Sequence, residues 1–126
     1  MEIPNQLRYT KDHEWVKIDG DIVVVGITDF AQGELGDIVY VEVETLNESL
    51  AEEEVFGTVE AVKTVSDLFL PVAGTVLEFN KTLEDAPETV NQDPYGDGWM
   101  IKLRPNNLSD VENLLTAEEY KSLVGA

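Results

Sequence analysis

The chain has 126 residues, of which 43% are hydrophobic, and it carries 26 acidic against 8 basic residues, a formal net charge of −18. This length predicts one domain with its own core, residues 1–126, and the negative charge excludes nucleic acid and anionic lipid as expected partners. The absence of cysteine excludes disulfides, thiolate metal sites and a cysteine nucleophile.

The first third of the chain alternates between strand and turn signals. Residues 14–27, EWVKIDGDIVVVGI, form two alternating segments around Asp19-Gly20. Asp-Gly between such segments predicts a β-hairpin, because these residues adopt the positive φ angles of a tight turn. Residues 28–35 predict a short helix that is capped by Thr28 and ends near Gly36.

The next segment predicts a strand followed by an acidic loop. Residues 36–43, GDIVYVEV, alternate along the strand, which predicts two faces. One face would carry Ile38, Tyr40 and Glu42, and the other Val39, Val41 and Val43. Residues 44–54, ETLNESLAEEE, are polar and acidic, and we expect a surface loop there.

A second hairpin carries an isolated lysine. Residues 56–76, FGTVEAVKTVSDLFLPVAGTV, predict two apolar strands with a turn at Lys63, which has no glycine or proline beside it. Lys63 is the only basic residue between Lys17 and Lys81, a segment with fourteen acidic residues. A turn lysine commonly serves only solubility. The absence of other basic residues near Lys63 favours a different role, in which its exposed amine is acylated by an enzyme. Acylation removes the positive charge of the amine.

The last part of the chain predicts strands and then helices. Residues 75–80 and 99–103 are predicted strands. Residues 81–98 between them are rich in Pro, Asp and Gly and predict a long surface connection. Within residues 105–126, the segments SDVE and TAEE each place a hydroxyl residue three positions before a glutamate. This capping-box spacing predicts two short helices at the C-terminus of a mostly β domain.

Five separated segments carry a resemblance to one family. They are YTKDHEWV (9–16), GITDFAQGELGDIVYVE (26–42), VEAVKTVSDLFLPVAGTV (59–76), VNQDPYGDGWMIK (90–102) and LLTAEEYKSL (114–123). The third resembles the lipoyl-lysine hairpin of lipoyl/biotinyl carrier domains. Together, and in this order, the five closely resemble the H-protein family of the glycine cleavage system. The resemblance implies a lipoyl/biotinyl-carrier-like sandwich (a barrel-sandwich hybrid) of antiparallel strands with short helices.

The resemblance implies a non-catalytic carrier with lipoate in amide linkage on Lys63. Glycine decarboxylase (P protein, with pyridoxal phosphate) would load an aminomethyl group onto this arm. The tetrahydrofolate-dependent aminomethyltransferase (T protein) would remove the carbon and release ammonia. Dihydrolipoamide dehydrogenase (L protein) would reoxidise the dithiol, and a lipoate ligase or lipoyl transferase would attach the cofactor. We expect a monomer in the bacterial cytoplasm, or in the mitochondrial matrix if a transit peptide was removed.

The family resemblance also indicates where the loaded amine rests, which is a cleft on the carrier itself. A cationic amine there needs a carboxylate or carbonyl partner. By resemblance Glu14 is the first candidate and Asp67, beside the hairpin, the second. An ordinary solvated glutamate at the start of a strand remains an equal alternative for Glu14. We expect no metal site, because a single histidine, His13, offers no ligand spacing and is better explained as a stacked or hydrogen-bonded structural residue.

Three departures from the family pattern affect the site. Ala61 stands where the family often has serine, which bears on recognition by the ligase. The acidic segment 44–54 lacks the Pro/Gly turn that the family commonly has there. Glu34 stands where some members carry histidine, so no role in the cleft is carried over to it.

Other functions remain open from the sequence. A biotinyl domain is disfavoured because Val62 and Thr64, and not methionines, flank the lysine. An acyl carrier protein is disfavoured because its attachment serine lies in an Asp-Ser-Leu order, whereas this chain has Ser66-Asp67-Leu68. The alternatives that remain are an H-like protein that relays lipoate to other lipoyl enzymes and an unmodified acidic β binding module. A small hydrolase using His13 with Glu14 lacks a triad or nucleophile motif.

Overall fold

The computed structural model describes residues 1–126 and contains nine strands in two antiparallel sheets. The strands are β1 (Arg8–Tyr9), β2 (Glu14–Asp19), β3 (Ile22–Ile27), β4 (Ile38–Glu42), β5 (Ser49–Leu50), β6 (Val55–Ala61), β7 (Val65–Phe69), β8 (Gly74–Phe79) and β9 (Ile101–Pro105). One sheet has the order β1-β2-β3-β9-β8-β5 and the other β4-β6-β7. The prediction of a mostly β, antiparallel domain is confirmed.

Five short helical segments complete the chain. They are α1 (Asp29–Leu35), α2 (Thr82–Asp85), α3 (Thr89–Gln92), a 3₁₀ helix (Leu108–Asn113) and α4 (Ala117–Val124). None of them has the length and apolar character that crossing a bilayer requires. The side-chain oxygen of Thr28 accepts a hydrogen bond from the N–H of Ala31, which is the predicted cap of α1.

The hydrophobic core lies between the two sheets. Twenty buried residues form it, with contributions from both sheets, from α2 and α3, and from Val111 of the 3₁₀ helix. A second cluster of six buried residues joins the N-terminus, β1 and β2 to α4, and its largest members are Tyr9, Trp15 and Tyr120. The second cluster matters for function because it fixes the C-terminal helix against the start of β2.

Both predicted hairpins are present. In the first, Asp19 pairs with Ile22, and Gly20 at the turn has a φ of 67°. In the second, β6 pairs with β7 from Val55 opposite Phe69 to Glu60 opposite Val65, which leaves residues 61–64 to turn the chain. The lysine is therefore mounted on a turn between two paired strands.

The predicted alternation of β4 is wrong. Ile38 and Val41 are both buried, whereas Val39 and Tyr40 between them are 47% and 49% exposed. A register shift between Ile38 and Tyr40, in the pairing of β4 with β6, is the cause. A β-bulge adds one residue to a strand, so the residues beyond it change faces relative to a regular alternation.

Two predicted connections and one predicted helix cap also differ from the structure. Residues 81–98 contain α2 and α3, which bury Leu83 and Val90 in the core, so this segment is more than a surface connection. The segment 44–54 contains β5, which pairs with β8. The first C-terminal helix is a 3₁₀ helix whose N-cap makes no side-chain hydrogen bond, whereas α4 has the predicted capping box between Thr116 and Glu119.

Candidate functional site

Lys63 lies on an exposed turn that is fixed at its base. The N–H of Ala61 donates to the Thr64 carbonyl at 2.7 Å, and the N–H of Val62 donates to the Asp37 carbonyl at 3.0 Å. The second bond ties the turn to the chain just before β4. The two ion pairs of the structure, Lys11–Glu53 and Lys102–Glu78, do not involve Lys63. Its amine is therefore exposed and free of an acidic partner.

The lysine stem passes over bare backbone at the end of α1. A Cβ atom built on Gly36 would lie 3.6 Å from Lys63 Cε and 4.0 Å from Nζ. Gly36 has φ 81° and ψ −155°, a combination that residues with a side chain rarely adopt. The backbone conformation therefore requires glycine at this position, and the Lys63 stem lies in van der Waals range of it.

A cleft of about 480 Å³ lies beside the hairpin. Four segments line it: the turn into β2, the end of β3, helix α1, and the β6–β7 hairpin. Its apolar lining comes from Ile27, Phe30, Ala31, Leu35, Val59 and Leu68, and four carboxyl groups also line it, those of Asp12, Glu14, Glu34 and Asp67. The structure therefore brings the two sequence candidates, Glu14 and Asp67, into one cleft that also has an apolar wall.

Glu14 is buried, with only 2% of its surface exposed, so the interpretation as an ordinary solvated residue is wrong. Its Oε1 accepts a hydrogen bond from the Thr10 hydroxyl at 2.9 Å, and its Oε2 accepts one from the Phe69 N–H at 3.1 Å. Burial raises the pKa of this carboxyl to about 8, although both hydrogen bonds favour the charged form. Glu14 is therefore an acid whose charge depends on what enters the cleft.

Asp67 and Glu34 complete the carboxyl groups near the hairpin. Asp67 is exposed on β7, where it pairs with Thr58 of β6. Glu34 lies on α1 and lines the same cleft, a placement that the sequence analysis did not assign. The spacing of Phe30 and Glu34, four positions apart on a predicted helix, places both on one helical face and was the available signal.

His13 has a structural environment, as predicted. Its Nδ1 lies 2.9 Å from the Tyr120 hydroxyl, and its ring lies 4.8 Å from the ring of Phe30. Burial lowers the pKa of His13, so the ring is neutral near pH 7. The Tyr120 hydroxyl also lies 2.7 Å from Thr28 Oγ1, at the cap of α1. Tyr120 lies in the second of the two predicted C-terminal helices, and its hydroxyl thus contacts residues of two segments that line the cleft or cap its helix.

The Asn91 side chain holds the C-terminal end of α1 and the start of β4. Its Oδ1 accepts a hydrogen bond from the Ile38 N–H at 3.0 Å, and its Nδ2 donates to Gln32 Oε1 and to the Gly36 carbonyl, both at 2.9 Å. These bonds hold the segment over which the Lys63 stem passes. The sequence offered no signal for this role, because Asn91 lies in the segment predicted to be a surface connection.

A second cleft, of about 210 Å³, lies on the other side of Glu14. Thr10, Asp12 and Glu14 line it together with residues of the loop before β6 and of the segment after the 3₁₀ helix. Glu14 thus stands between two clefts. No group of three or more histidine, aspartate or glutamate side chains is arranged to hold a metal ion.

Comparison with known proteins decides the family. The family model described as glycine cleavage H-protein matches residues 7–126, nearly the whole chain. The chain belongs to the glycine cleavage H-protein family. The resemblance found in the sequence is therefore confirmed, and membership of this family supports a role in the glycine cleavage system.

Individual relatives match over their full length. The chain is 57% identical to the glycine cleavage system H protein of Bacteroides fragilis over 126 residues, with 100% of both chains covered. It is 60% identical to that of Chlorobium phaeovibrioides over 127 residues, with 99% of each covered.

A solved structure supports the same family assignment. The crystal structure of a glycine cleavage system H protein from Mycobacterium marinum superposes with a TM-score of 0.89 at 42% identity. The superposition covers 98% of this chain and 100% of the other chain. The predicted carrier-like sandwich is thus the fold of a solved member of the H-protein family.

Proposed function

We propose that this chain is a lipoylated carrier of the glycine cleavage system and that Lys63 is its attachment site. The observation behind the proposal is the position of Lys63, an exposed and unpaired amine on the turn of the hairpin whose strands line a cleft of about 480 Å³. A lysine that is acylated by another enzyme must be reachable, and this one is. The fixed turn holds the root of the arm while the arm itself stays flexible.

The lining of the cleft fits the group that the family implies. Apolar side chains of α1 and the hairpin suit a hydrocarbon arm with a ring of low polarity, and the carboxyl groups suit a cationic amine at its end. When bound through an amide to the Lys63 amine, lipoate supplies a disulfide that accepts an aminomethyl group and is left as a dithiol after that group is passed on.

The residues of the chain bind and shield the arm. Phe30, Leu35 and Leu68 exclude water from its apolar part, because they form an apolar wall of the cleft. Glu14 receives the ammonium of the loaded arm, and Asp67 is a second, more exposed carboxylate that lines the same cleft. An ammonium that approaches Glu14 favours its charged form, so the carboxyl releases its proton as the amine binds.

The proposed partners act in turn on the same arm. Glycine decarboxylase loads it, the aminomethyltransferase unloads it, and dihydrolipoamide dehydrogenase reoxidises it, while a lipoate ligase or lipoyl transferase attaches the cofactor. The chain itself catalyses none of these steps. Its net charge of −18 favours encounters with basic surfaces on these partners. The bacterial relatives favour the bacterial cytoplasm as the place of action.

A modification experiment tests the attachment site. The chain and its Lys63→Arg variant are each co-expressed with a lipoate ligase, and their intact masses are measured. We expect the mass of one lipoyl group on the wild type and none on the variant. Lys81→Arg is the matched control, because Lys81 is also exposed and is the next basic residue along the chain. It should be modified like the wild type.

An activity measurement completes the test. In a system reconstituted with the three partner enzymes, wild type and Lys81→Arg should support glycine decarboxylation and Lys63→Arg should not. A Lys63→Arg chain that still gains the lipoyl mass, or that still supports decarboxylation, would refute the proposed attachment site.

A further inference from the structure

The Thr10 hydroxyl lies at the centre of a small hydrogen-bond network around Glu14. Thr10 is buried in the turn between β1 and β2. Its Oγ1 accepts hydrogen bonds from the backbone N–H groups of Asp12 and Glu14, both at 3.2 Å. The same oxygen donates to Glu14 Oε1 at 2.9 Å.

The direction of the Thr10 hydroxyl proton follows from this network. A hydroxyl has one proton to donate and two lone pairs that accept. Both backbone neighbours of Oγ1 are donors, so they occupy its lone pairs and leave the proton free for the carboxylate. The turn itself is held by two backbone hydrogen bonds, in which the Thr10 N–H donates to the Glu14 carbonyl and the His13 N–H donates to the Thr10 carbonyl. The hydroxyl therefore has little freedom to turn away.

We propose that Thr10 is a positioning residue for the loaded arm: it fixes one oxygen of the Glu14 carboxylate, while the Phe69 N–H fixes the other, so that a charged carboxylate faces the ammonium. This inference rests on the proposed function, in which the arm is attached at Lys63 and its amine binds Glu14. Each carboxylate oxygen accepts about two hydrogen bonds, so each oxygen keeps one site for the amine.

The charged and titratable groups around Glu14 explain why it needs this support. They are Tyr9 of β1, Lys11, Asp12 and His13 of the turn before β2, Glu34 of α1, Glu52 and Glu53 of the loop before β6, Asp67 of β7, and Tyr120 of α4. Asp12 and Glu53 raise the pKa of Glu14 beyond the effect of burial. The one lysine among these groups, Lys11, is 3.2 Å from Glu53 and is thus engaged elsewhere.

Thr10 therefore supplies one of only two interactions that favour the charged form of Glu14. The other is the backbone N–H of Phe69, which no side-chain substitution removes. Without the Thr10 hydroxyl, burial and the neighbouring acids act with less opposition. A neutral carboxyl group holds an ammonium more weakly than a carboxylate does, because the charge-assisted hydrogen bond is lost.

The first measurement uses the unmodified chain and needs no partner enzyme. The carboxyl carbon of Glu14 is followed by NMR through a pH titration in wild type, Thr10→Val and Thr10→Ser. Valine keeps the shape of threonine without the hydroxyl, and serine keeps the hydroxyl. We expect the midpoint to move upward by about one pH unit in Thr10→Val and to stay unchanged in Thr10→Ser. An unchanged midpoint in folded Thr10→Val would overturn the inference.

Two further variants make this measurement secure. Thr45→Val is the matched control, because the Thr45 hydroxyl also donates one hydrogen bond, to the Phe56 carbonyl at 2.7 Å, and Thr45 does not line the cleft. It should leave the Glu14 midpoint in place. If Thr10→Val does not fold, Thr10→Cys takes its place in the titration. The S–H group of cysteine occupies the position of the hydroxyl but is a weaker hydrogen-bond donor. A folded Thr10→Cys whose midpoint equals that of the wild type would also overturn the inference.

The second measurement uses the lipoylated chain after loading by the decarboxylase. Ammonia release from the isolated loaded carrier should be severalfold faster near pH 7 in Thr10→Val than in Thr10→Ser or the wild type. The difference should shrink as the pH rises above the titration midpoint of the variant, because Glu14 is then charged in all of them. A difference that is independent of pH would contradict the positioning role.

The Glu14→Gln variant distinguishes a failure of the proposed amine binding by Glu14 from a failure of the inference about Thr10. If Glu14→Gln releases ammonia at the wild-type rate, the proposed binding of the amine by Glu14 fails, and with it any role of Thr10 toward the arm. If Glu14→Gln is fast but Thr10→Val neither moves the midpoint nor changes the release rate, only the inference about Thr10 fails.

Discussion

The Glu14 Oε2 atom accepts a hydrogen bond from the backbone N–H of Phe69, 55 positions further along the chain, at 3.1 Å. This bond joins the start of β2 to the end of β7, so it links the large sheet to the hairpin that bears Lys63. The buried carboxyl group is thus hydrogen-bonded directly to the hairpin that carries the lysine turn. In the proposed function, in which an arm on Lys63 returns to the cleft, this link sets the position of Glu14 relative to the root of the arm.

The first prediction concerns the stability of the fold as a function of pH. The pKa of Glu14 is raised from an ordinary value of 4.5 to about 8 in the folded chain. A carboxyl group with a raised pKa binds its proton more tightly when folded, so it stabilises the fold most at low pH. We expect this contribution to be lost between about pH 4.5 and 8, by roughly 1.4 kcal/mol per pH unit.

Urea unfolding of wild type and Glu14→Gln at several pH values between about 5 and 8 checks this sign. The free energy of unfolding of the wild type should fall relative to that of Glu14→Gln as the pH rises. Glu112→Gln, a substitution at an exposed glutamate, should keep the pH dependence of the wild type. Parallel profiles for wild type and Glu14→Gln would show that Glu14 is not an acid of raised pKa.

The second prediction concerns residues 36–38, the segment over which the Lys63 stem passes. Asn91→Ala removes three hydrogen bonds and leaves the Ile38 N–H and the Gly36 carbonyl without these partners. Unsatisfied groups of this kind cost about 1–3 kcal/mol each when buried. We expect a loss of stability in this range and faster amide hydrogen exchange at Ile38, because its N–H no longer has its acceptor.

Denaturant unfolding and site-resolved hydrogen exchange measure both effects. Asn106→Ala is the matched control, because Asn106 is exposed and its side chain makes no hydrogen bond in the structure. It should change neither quantity. If the Ile38 amide exchanges at the same rate in Asn91→Ala as in the wild type, the Asn91 side chain does not hold this segment.

The third prediction concerns the C-terminal helix as a support of the cleft. Tyr120→Phe removes the hydroxyl that contacts both Thr28 Oγ1 and His13 Nδ1. We expect a loss of about 1–3 kcal/mol in the free energy of unfolding, because buried polar groups lose their partner. The NMR signals of His13 and Phe30, both in the cleft lining, should also shift.

Tyr40→Phe makes the same chemical change at an exposed position. The Tyr40 hydroxyl donates to Glu42 at the surface, where water can replace the lost partner. This variant should cost less than about 1 kcal/mol. Equal losses of stability in the two variants would argue against the buried network at Tyr120.

The sequence anticipated the elements that depend on local chemistry. Asp19-Gly20 marked a hairpin, Thr28 marked the cap of α1, and TAEE marked the capping box of α4, because each signal acts within a few residues. It did not anticipate the bulge in β4 or the helices within 81–98, because a register shift and the burial of Leu83 and Val90 are set by packing against distant strands.

For the site, the sequence by itself determined the isolated Lys63, the candidate carboxylates and the family, since these depend on residue identity and order. Only the tertiary structure decided that Glu14 is buried, that Glu34 and Asp67 line the same cleft, and that Thr10 and Phe69 hold the carboxyl group. The physical reason is that burial and hydrogen-bond partners arise from segments far apart in the chain, and these two factors set the charge of an acid.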